Sequence, residues 1–206
     1  MHENMKEKII EGAGNLFVRY GIRSVSMDDI ANNLAISKKT LYQYFKDKDD
    51  VVAQATMAII EKDRGVFLEM KESSANAIEE LSKVSGCLRR MFDEMNPSLL
   101  FDLNKYHPDA WEYYLKYKNE FIFQMITDNL TRGVKEGNFR DDININILAR
   151  LRVEQVQICF DQKVFPKDQF DFKEVQMQVF DHFLFGIVTS KGKALYEKYQ
   201  LKNSVL

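Results

Sequence analysis

Apolar residues recur at helical spacing from the first part of the chain onward. Between residues 3 and 20 they lie on one stripe of a helix, and Gly21 ends this pattern. The stripe consists of Ile9, Ala13, Leu16, Phe17 and Tyr20. A longer pattern extends from Lys48 to about Lys71. We therefore predict one helix over 3–20 and a long helix that begins at Lys48.

Two shorter apolar patterns lie between these helices. Ser26 is a good N-cap for the first, and the two aspartates that follow favour the positive end of a helix dipole. After a three-residue break, Ser37 can cap the second. Leu41 and Phe45 lie four residues apart, so they share one side of that second helix. The pattern predicts two short helices whose apolar sides pack inward.

The second short helix carries polar residues opposite its apolar side. Lys39 and Gln43 point nearly away from Leu41 at about 100° per residue. A lysine can donate to O6 and N7 of guanine, and a glutamine can pair with N6 and N7 of adenine. Four neighbours suit phosphate oxygens or a thymine methyl: Lys38, Thr40, Tyr42 and Tyr44. The spacing favours a DNA-binding helix-turn-helix over two ordinary amphipathic helices with solvated lysines.

The next helix starts with a further candidate for a phosphate contact. Asp47 and Asp50 have the spacing of a capping box, and Lys48 occupies the first helical position after the cap. Backbone amides and a lysine at a helix N-terminus together form an anion site. We expect this site to bind one phosphate of DNA.

Residues 30–51 read Ile-Ala-Asn-Asn-Leu-Ala-Ile-Ser-Lys-Lys-Thr-Leu-Tyr-Gln-Tyr-Phe-Lys-Asp-Lys-Asp-Asp-Val. This run closely resembles the signature of the TetR family of bacterial transcriptional regulators. The segments 16–22 and 24–31 are similar to that family's first helix and to the start of its second. The resemblance covers about the first 55 residues. It implies an all-α fold in which a three-helix DNA-binding domain (1–47) is joined by a long helix to a helical effector-binding and dimerisation domain (48–206).

The resemblance also implies which side chains contact DNA. The positions that match are Ser37, Lys38, Thr40, Tyr42, Tyr44 and Lys48, to which we add Ser26, Lys39 and Gln43. Two residues depart from the family pattern. Ala35 stands where the turn usually has glycine, and Lys39 stands where a small residue or proline is common. A left-handed turn at Ala35 would cost on the order of 1 kcal/mol.

Composition agrees with a small helical regulator. The chain has 206 residues with three prolines and nine glycines, and 29% of its residues are charged. It lacks an apolar run of the roughly 18 residues needed for a membrane span, and its first residues lack an apolar signal core, so we expect a cytoplasmic protein. Cys87 and Cys159 lie outside any metal-binding or CxxC pattern, so we expect two small core residues and no metal or cofactor.

Net charge argues against a general basic surface. The formal charge is −2, whereas a DNA-binding protein ordinarily has a basic patch. The segment from Ile30 to Lys46 nevertheless contains three lysines and no acidic residue. A local basic face of this kind is enough for DNA binding if two copies of the chain bind together.

The larger part of the chain divides into further helices. Candidate boundaries are Pro97, Pro108, Gly137-Asn138 and Pro166. They predict helices near 75–95, 98–106, 109–136, 142–163 and 170–189, followed by a short polar helix.

Aromatic and methionine residues are dense between Met91 and Met125. Such side chains can line an apolar cavity, although stripes of this kind usually form ordinary core. The resemblance favours the cavity, and our candidate effector contacts are Phe92, Trp111, Tyr114 and Phe121. We expect His107, which precedes Pro108, to cap a helix or to face solvent.

Two apolar faces could form an intermolecular four-helix bundle. One consists of Ile145, Leu148, Ala149, Leu151, Arg152, Gln155, Val156 and Cys159, and the other of Val175, Val179, Phe183, Leu184, Ile187 and Val188. The alternative is that both faces complete the core of one chain. Only the resemblance favours a homodimer, which would match a palindromic operator.

Catalysis has little support, because phosphate loops, metal-spaced residues and nucleophile motifs are absent from the sequence. The leading interpretation is a homodimeric repressor that a small, mostly apolar effector releases from double-stranded DNA. A second interpretation keeps DNA binding but assigns the larger domain to a protein partner without a ligand. A third is a helical carrier of lipids or other apolar molecules.

Overall fold

The computed structural model describes residues 2–203, and the side chains of residues 5–201. These residues form α-helices, one π-helical segment and an isolated β-bridge between Phe139 and Val188. The all-α prediction is confirmed. The helices are α1 (His2–Tyr20), α2 (Met27–Asn33), α3 (Lys38–Tyr44), α4 (Lys48–Glu72), α5 (Ala77–Glu94), α6 (Leu99–Tyr106), α7 (Pro108–Lys116), the π-helical segment (Tyr117–Ile122), α8 (Phe123–Lys135), α9 (Ile145–Ile158), α10 (Phe172–Ile187) and α11 (Ser190–Asn203).

The helices group into two compact units. The first contains the residues up to Asp63 together with Glu94–Tyr117, and the second contains Arg64–Asp93 and the residues from Lys118 onward. The first unit therefore includes α6 and α7 as well as α1–α3. The functional boundary between 47 and 48 stays a prediction. No helix in the described part of the chain has the length and apolar composition of a membrane span.

The first unit is held together around α1. Ile9, Ala13 and Phe17 are buried along one side of this helix, as the spacing predicted. Gly21 ends the helix with φ +81°, a conformation that favours glycine, while its N–H donates to the Phe17 carbonyl at 2.9 Å. The segment before α6 returns to α1, because Asn96 N–H donates to the Val18 carbonyl at 2.7 Å.

The predicted helix over 109–136 is interrupted. Its first part ends at Lys116, the π-helical segment follows, and α8 begins at Phe123. A π-turn contains an extra residue, so it shifts the apolar stripe relative to an uninterrupted α-helix. The shift places Lys118 in a buried position, where its ammonium donates to Glu154 at 3.1 Å and also contacts Gln157.

The second unit has its core around α8, α9 and α10. Buried residues of this core include Leu130, Phe139, Ala149, Phe180 and Leu184. The predicted turn before α9 is present, and Phe139 in this turn packs so closely on Gly133 that an added Cβ would lie 2.0 Å from its ring. The predicted helix over 142–163 is shorter than expected and ends at Ile158.

Half of the residues of the two predicted dimerisation faces are buried in the chain's own core. The buried members are Ala149, Arg152, Cys159, Val175, Phe183, Leu184 and Ile187. Their assignment to an intermolecular face is wrong, because α9 packs against α8 and α10 of the same chain. Of the residues on the first predicted face, Leu151 stays exposed.

The turn between α2 and α3 has the left-handed conformation considered above. Ala35 has φ +52°, and the following N–H of Ile36 donates to the Ala31 carbonyl at 3.0 Å. A β-carbon in this conformation contacts the backbone unfavourably. The turn therefore forms in spite of its alanine.

We expect Ala35→Gly to raise the free energy of unfolding by about 0.5–1 kcal/mol, because relief of strain exceeds the added entropy of the unfolded chain. Denaturant unfolding measures the change. The control is Ala58→Gly in the exposed interior of α4, which should instead lower stability by about 1 kcal/mol. A loss of stability in Ala35→Gly would contradict the left-handed turn.

Candidate nucleic-acid interface

A capping box fixes the start of α2. The N–H of Asp29 donates to Ser26 Oγ at 3.2 Å, and the N–H of Ser26 donates to Asp29 Oδ2 at 2.8 Å. The hydroxyl of Ser26 and its backbone N–H both donate to the Asp29 carboxylate, and these two hydrogen bonds lower the pKa of that carboxyl. The predicted N-cap is confirmed. A DNA contact by Ser26 stays a prediction, and the hydroxyl already bonds to the Asp29 carboxylate at 2.6 Å.

Helix α3 is oriented by one cap and two buried side chains. Ser37 Oγ accepts the Thr40 N–H at 3.0 Å and lies 2.8 Å from Thr40 Oγ1. Leu41 is 0% exposed and Phe45 is 1% exposed. These two residues lie on the side of the helix that the spacing predicted. The rotation of α3 about its axis is therefore fixed by the first unit's core.

The opposite side of α3 faces solvent. Lys39, Tyr42 and Gln43 are exposed, whereas Thr40 and Tyr44 are half-buried. Within the described part of the chain, the side chains of Lys39 and Gln43 form no hydrogen bond or ion pair with another residue. Both are thus available to contact base edges, as a major-groove helix requires.

Lys38 is held by an acidic partner that sequence reasoning missed. Its ammonium lies 2.9 Å from Asp28 of α2, and both side chains are about half exposed. The hydrogen bond to Asp28 raises the pKa of Lys38. An exposed ion pair of this kind contributes little stability, so Lys38 can exchange its partner for a phosphate at small cost.

Lys48 is anchored to the loop that follows α1. Its ammonium donates to the Ile22 carbonyl at 2.6 Å, and burial lowers its pKa. Asp47 caps the Asp50 N–H at 3.0 Å, but Asp50 in return accepts from the Lys46 N–H at 3.1 Å. Half of the predicted capping box is therefore confirmed, while the reciprocal hydrogen bond comes from Lys46 and not from Asp47. Lys48 joins α4 to the rest of the first unit whether or not it also contacts DNA.

His107 occupies the N-cap position of α7, as one of its two expected roles required, but its side chain does not act as the cap. It is buried and forms no side-chain cap at the start of α7, while its Nδ1 lies 2.9 Å from Asp49 Oδ1. Burial is the main cause of the lowered pKa of this imidazole. Pro108 correctly predicted the start of α7. Asp49, which contacts the His107 side chain, lies far away in the sequence.

The four predicted effector contacts belong to different units. In the first unit, the rings of Trp111 and Tyr114 stack with centroids 5.2 Å apart. In the second, Phe92 meets Phe172 edge to face at 5.4 Å, and Phe121 lies beneath the guanidinium of Arg64. Each side chain thus has an aromatic or cationic neighbour within its unit. Their shared role in one pocket stays a prediction.

An exposed stripe follows α9 and α10 in the second unit. Its apolar members on α9 are Ile147, Leu151 and Ile158, which are 62%, 47% and 47% exposed. On α10, Phe185 and Gly186 are exposed, and a β-carbon added at Gly186 would contact nothing within 4 Å. We call these exposed residues, Ile147, Leu151, Ile158, Phe185 and Gly186, the outer α9–α10 stripe.

Comparisons with known proteins agree with this geometry. Residues 9–55 match the family described as bacterial regulatory proteins, tetR family. The HTH-type transcriptional regulator YvaF of Bacillus subtilis (strain 168) is 25% identical over 191 residues, which cover 91% of this chain and 97% of that protein. The HTH-type transcriptional repressor KstR2 of Mycobacterium tuberculosis (strain ATCC 25618 / H37Rv) is 22% identical over 150 residues, covering 69% and 73%.

A solved structure shows the same fold. A transcriptional regulator from Saccharomonospora viridis, in complex with choline, matches with a TM-score of 0.70 at 20% identity. The match covers 91% of this chain and 99% of that one.

We expect Lys48→Met to lower the free energy of unfolding by about 1–2 kcal/mol, because the Ile22 carbonyl loses a charged donor. Lys46→Met is the control, since that side chain is 89% exposed and its loss should change stability by less than about 0.5 kcal/mol. Thermal or denaturant unfolding measures both. Equal stability of the two variants would show that the hydrogen bond from Lys48 to Ile22 does not stabilise the fold.

Proposed function

Because this chain belongs to the TetR family of bacterial regulatory proteins, we propose that it is a homodimeric repressor that a small, mostly apolar effector releases from a palindromic operator. The observation that carries the proposal is the orientation of α3. Its Leu41 and Phe45 are buried in the core, so Lys39 and Gln43 face outward. Such a protein works in the cytoplasm, where its DNA is.

In this proposal, α3 enters the major groove. Lys39 and Gln43 contact base edges, while Lys38, Tyr42 and Tyr44 contact the backbone on either side. Ser26, Ser37, Thr40 and Lys48 complete the phosphate contacts from the helix starts. All acidic residues of the first unit lie outside Ile30–Lys46, so the charged side chains within this segment are all basic.

The outer α9–α10 stripe supports a homodimer. Its apolar side chains repeat at helical spacing on α9, and a glycine on the exposed side of α10 lets another helix approach closely. An exposed glycine within a helix costs about 1 kcal/mol relative to alanine, so close approach gives it a physical reason. Two copies related by a two-fold axis would present two α3 helices to successive major grooves.

In this proposal, effector control acts through α4. Helix α4 begins beside α3 and continues into the second unit, so a change in that unit reaches the DNA-binding part through a continuous helix. An effector that prefers the form unable to match successive grooves shifts the population away from DNA. The choline complex of the Saccharomonospora viridis regulator supports ligand binding by this fold.

The contacts of α3 are tested with an operator selected from a random DNA pool. Gln43→Ala should lower affinity for this operator by about 1–3 kcal/mol and relax preference at one base pair. Lys38→Ala should weaken binding to all DNA sequences. It should also reduce the slope of the logarithm of the binding constant against the logarithm of the salt concentration by about one. The exposed Lys198 of α11 provides the control, because Lys198→Ala should change neither property. Unchanged binding in both α3 variants would exclude α3 as the contact helix.

The dimer is tested with a charge in the outer α9–α10 stripe. Leu151→Glu should weaken self-association at least tenfold, because the interface would have to desolvate a carboxylate. Sedimentation velocity over a range of protein concentrations measures this change. Leu201→Glu is the control, since Leu201 is also exposed but lies on α11. A dimer that tolerates Leu151→Glu would place the interface elsewhere.

A further inference from the structure

A buried arginine in the second unit lacks an anionic partner. Arg152 of α9 is only 5% exposed, and its guanidinium lies over the rings of Phe180 and Phe183 at 5.3 and 5.5 Å. Its Nη1 has no hydrogen-bond acceptor, and among the described residues no carboxylate forms an ion pair with Arg152. The two aromatic faces stabilise the cation but accept none of its N–H groups.

This arrangement is costly for a protein to maintain. A buried cation without an acceptor loses its hydration and regains only part of that energy. Burial lowers the pKa of Arg152 to about 10, so the group still carries its charge at neutral pH. The core therefore contains a cation whose Nη1 finds no hydrogen-bond acceptor among the described residues.

Two amide side chains near Arg152 are also incompletely bonded. Gln176 of α10 is 1% exposed, and its Nε2 donates to the Val156 carbonyl over a long 3.4 Å. The Oε1 atoms of Gln176 and Gln155 are buried without hydrogen-bond donors. Gln155 and Val156 lie one turn beyond Arg152 on α9, and Gln176 lies one turn before Phe180 on α10. The three orphaned polar atoms thus occupy neighbouring turns of two packed helices.

Aromatic rings meet where α9 ends and α10 begins. Phe160 follows the buried Cys159 at the end of α9, and its ring lies 4.7 Å from that of Phe172. Phe172 in turn contacts Phe92, one of the effector contacts predicted from the sequence. The guanidinium, the two amides and the rings of Phe160 and Phe172 therefore lie along the same two packed helices of one unit.

We propose that Arg152, with Gln155 and Gln176, binds the carboxylate of an amphipathic organic acid whose apolar body lies against Phe160 and Phe172. This inference rests on the proposed function, because it identifies the chemistry of the effector. A glutamine amide that turns by half a rotation offers Nε2 in place of Oε1. For Gln176 this turn breaks the long bond to Val156 and brings Oε1 to face that carbonyl. Both amides can then donate to the carboxylate.

A carboxylate fits this cluster better than a phosphate. The only charged group in the cluster is one guanidinium, whose planar fork matches the two oxygens of a carboxylate. A phosphate carries more negative charge, and the surplus would remain buried beside phenylalanine rings. A monoanion with an apolar chain leaves neither surplus charge nor exposed apolar surface.

The test uses the purified full-length protein and two ligands of equal chain length, decanoate and decanol. By calorimetry, the wild type should bind decanoate at least tenfold more tightly than decanol. Arg152→Met should lose this preference while its affinity for decanol is unchanged. Without ligand, this variant should melt at the same or a higher temperature, because a buried unpaired charge has been removed.

Two further variants make the test specific. Arg150→Met removes an exposed arginine of the same helix and should bind decanoate as the wild type does. Arg152→Lys serves if Arg152→Met fails to fold, and decanoate binding should fall several-fold because an ammonium lacks the planar fork. Equal affinity for decanoate and decanol in the wild type would overturn the inference, as would a lack of binding by carboxylates from octanoate to hexadecanoate.

Operator release separates this inference from the proposed function. If decanoate binds through Arg152 but the selected operator stays bound, the site stands and effector release fails. If a neutral apolar compound releases the operator while carboxylates do not bind, effector release stands and the carboxylate site is wrong.

Discussion

Burial of Leu41 and Phe45 is the constraint on which the DNA-binding surface depends. Each side chain is almost completely removed from solvent, which stabilises the first unit by about 1.5–3 kcal/mol per residue. Because α3 is short, these two anchors set its rotation about its axis. Rotation by about 100° would expose one anchor and bury Lys39 or Gln43 at a much larger cost. The polar surface is thus determined by the apolar one.

Local hydrogen bonds then fix where each helix of this unit starts. Ser26 and Ser37 cap α2 and α3, and Lys48 ties the first turn of α4 to the carbonyl of Ile22. Several polar side chains that resemble DNA contacts therefore also have a structural role. The ion pair between Lys38 and Asp28 is the exception, since it is exposed and can be exchanged for a phosphate.

The sequence predicted helices α1–α3 better than the rest of the chain for a physical reason. Caps at Ser26 and Ser37 and the buried pair on α3 depend on residues three or four apart, so periodicity and cap chemistry reveal them. The π-helical segment depends on packing between distant helices. The burial of His107 beside Asp49 likewise joins residues remote in sequence. Periodicity shows that a helix face is apolar, but it does not show whether the same chain or another covers it.

Two buried cations of the second unit show how differently such groups can be satisfied. Lys118 is buried on the π-helical segment, yet its ammonium bonds to the Glu154 carboxylate and to Gln157. Arg152 lies on the same helix as those two acceptors, but its side chain points inward between Phe180 and Phe183. A cation that served only to hold helices together would be expected to have partners of the kind that Lys118 has. Because Arg152 has none within the described chain, its charge is better explained by an acceptor that comes from outside the protein.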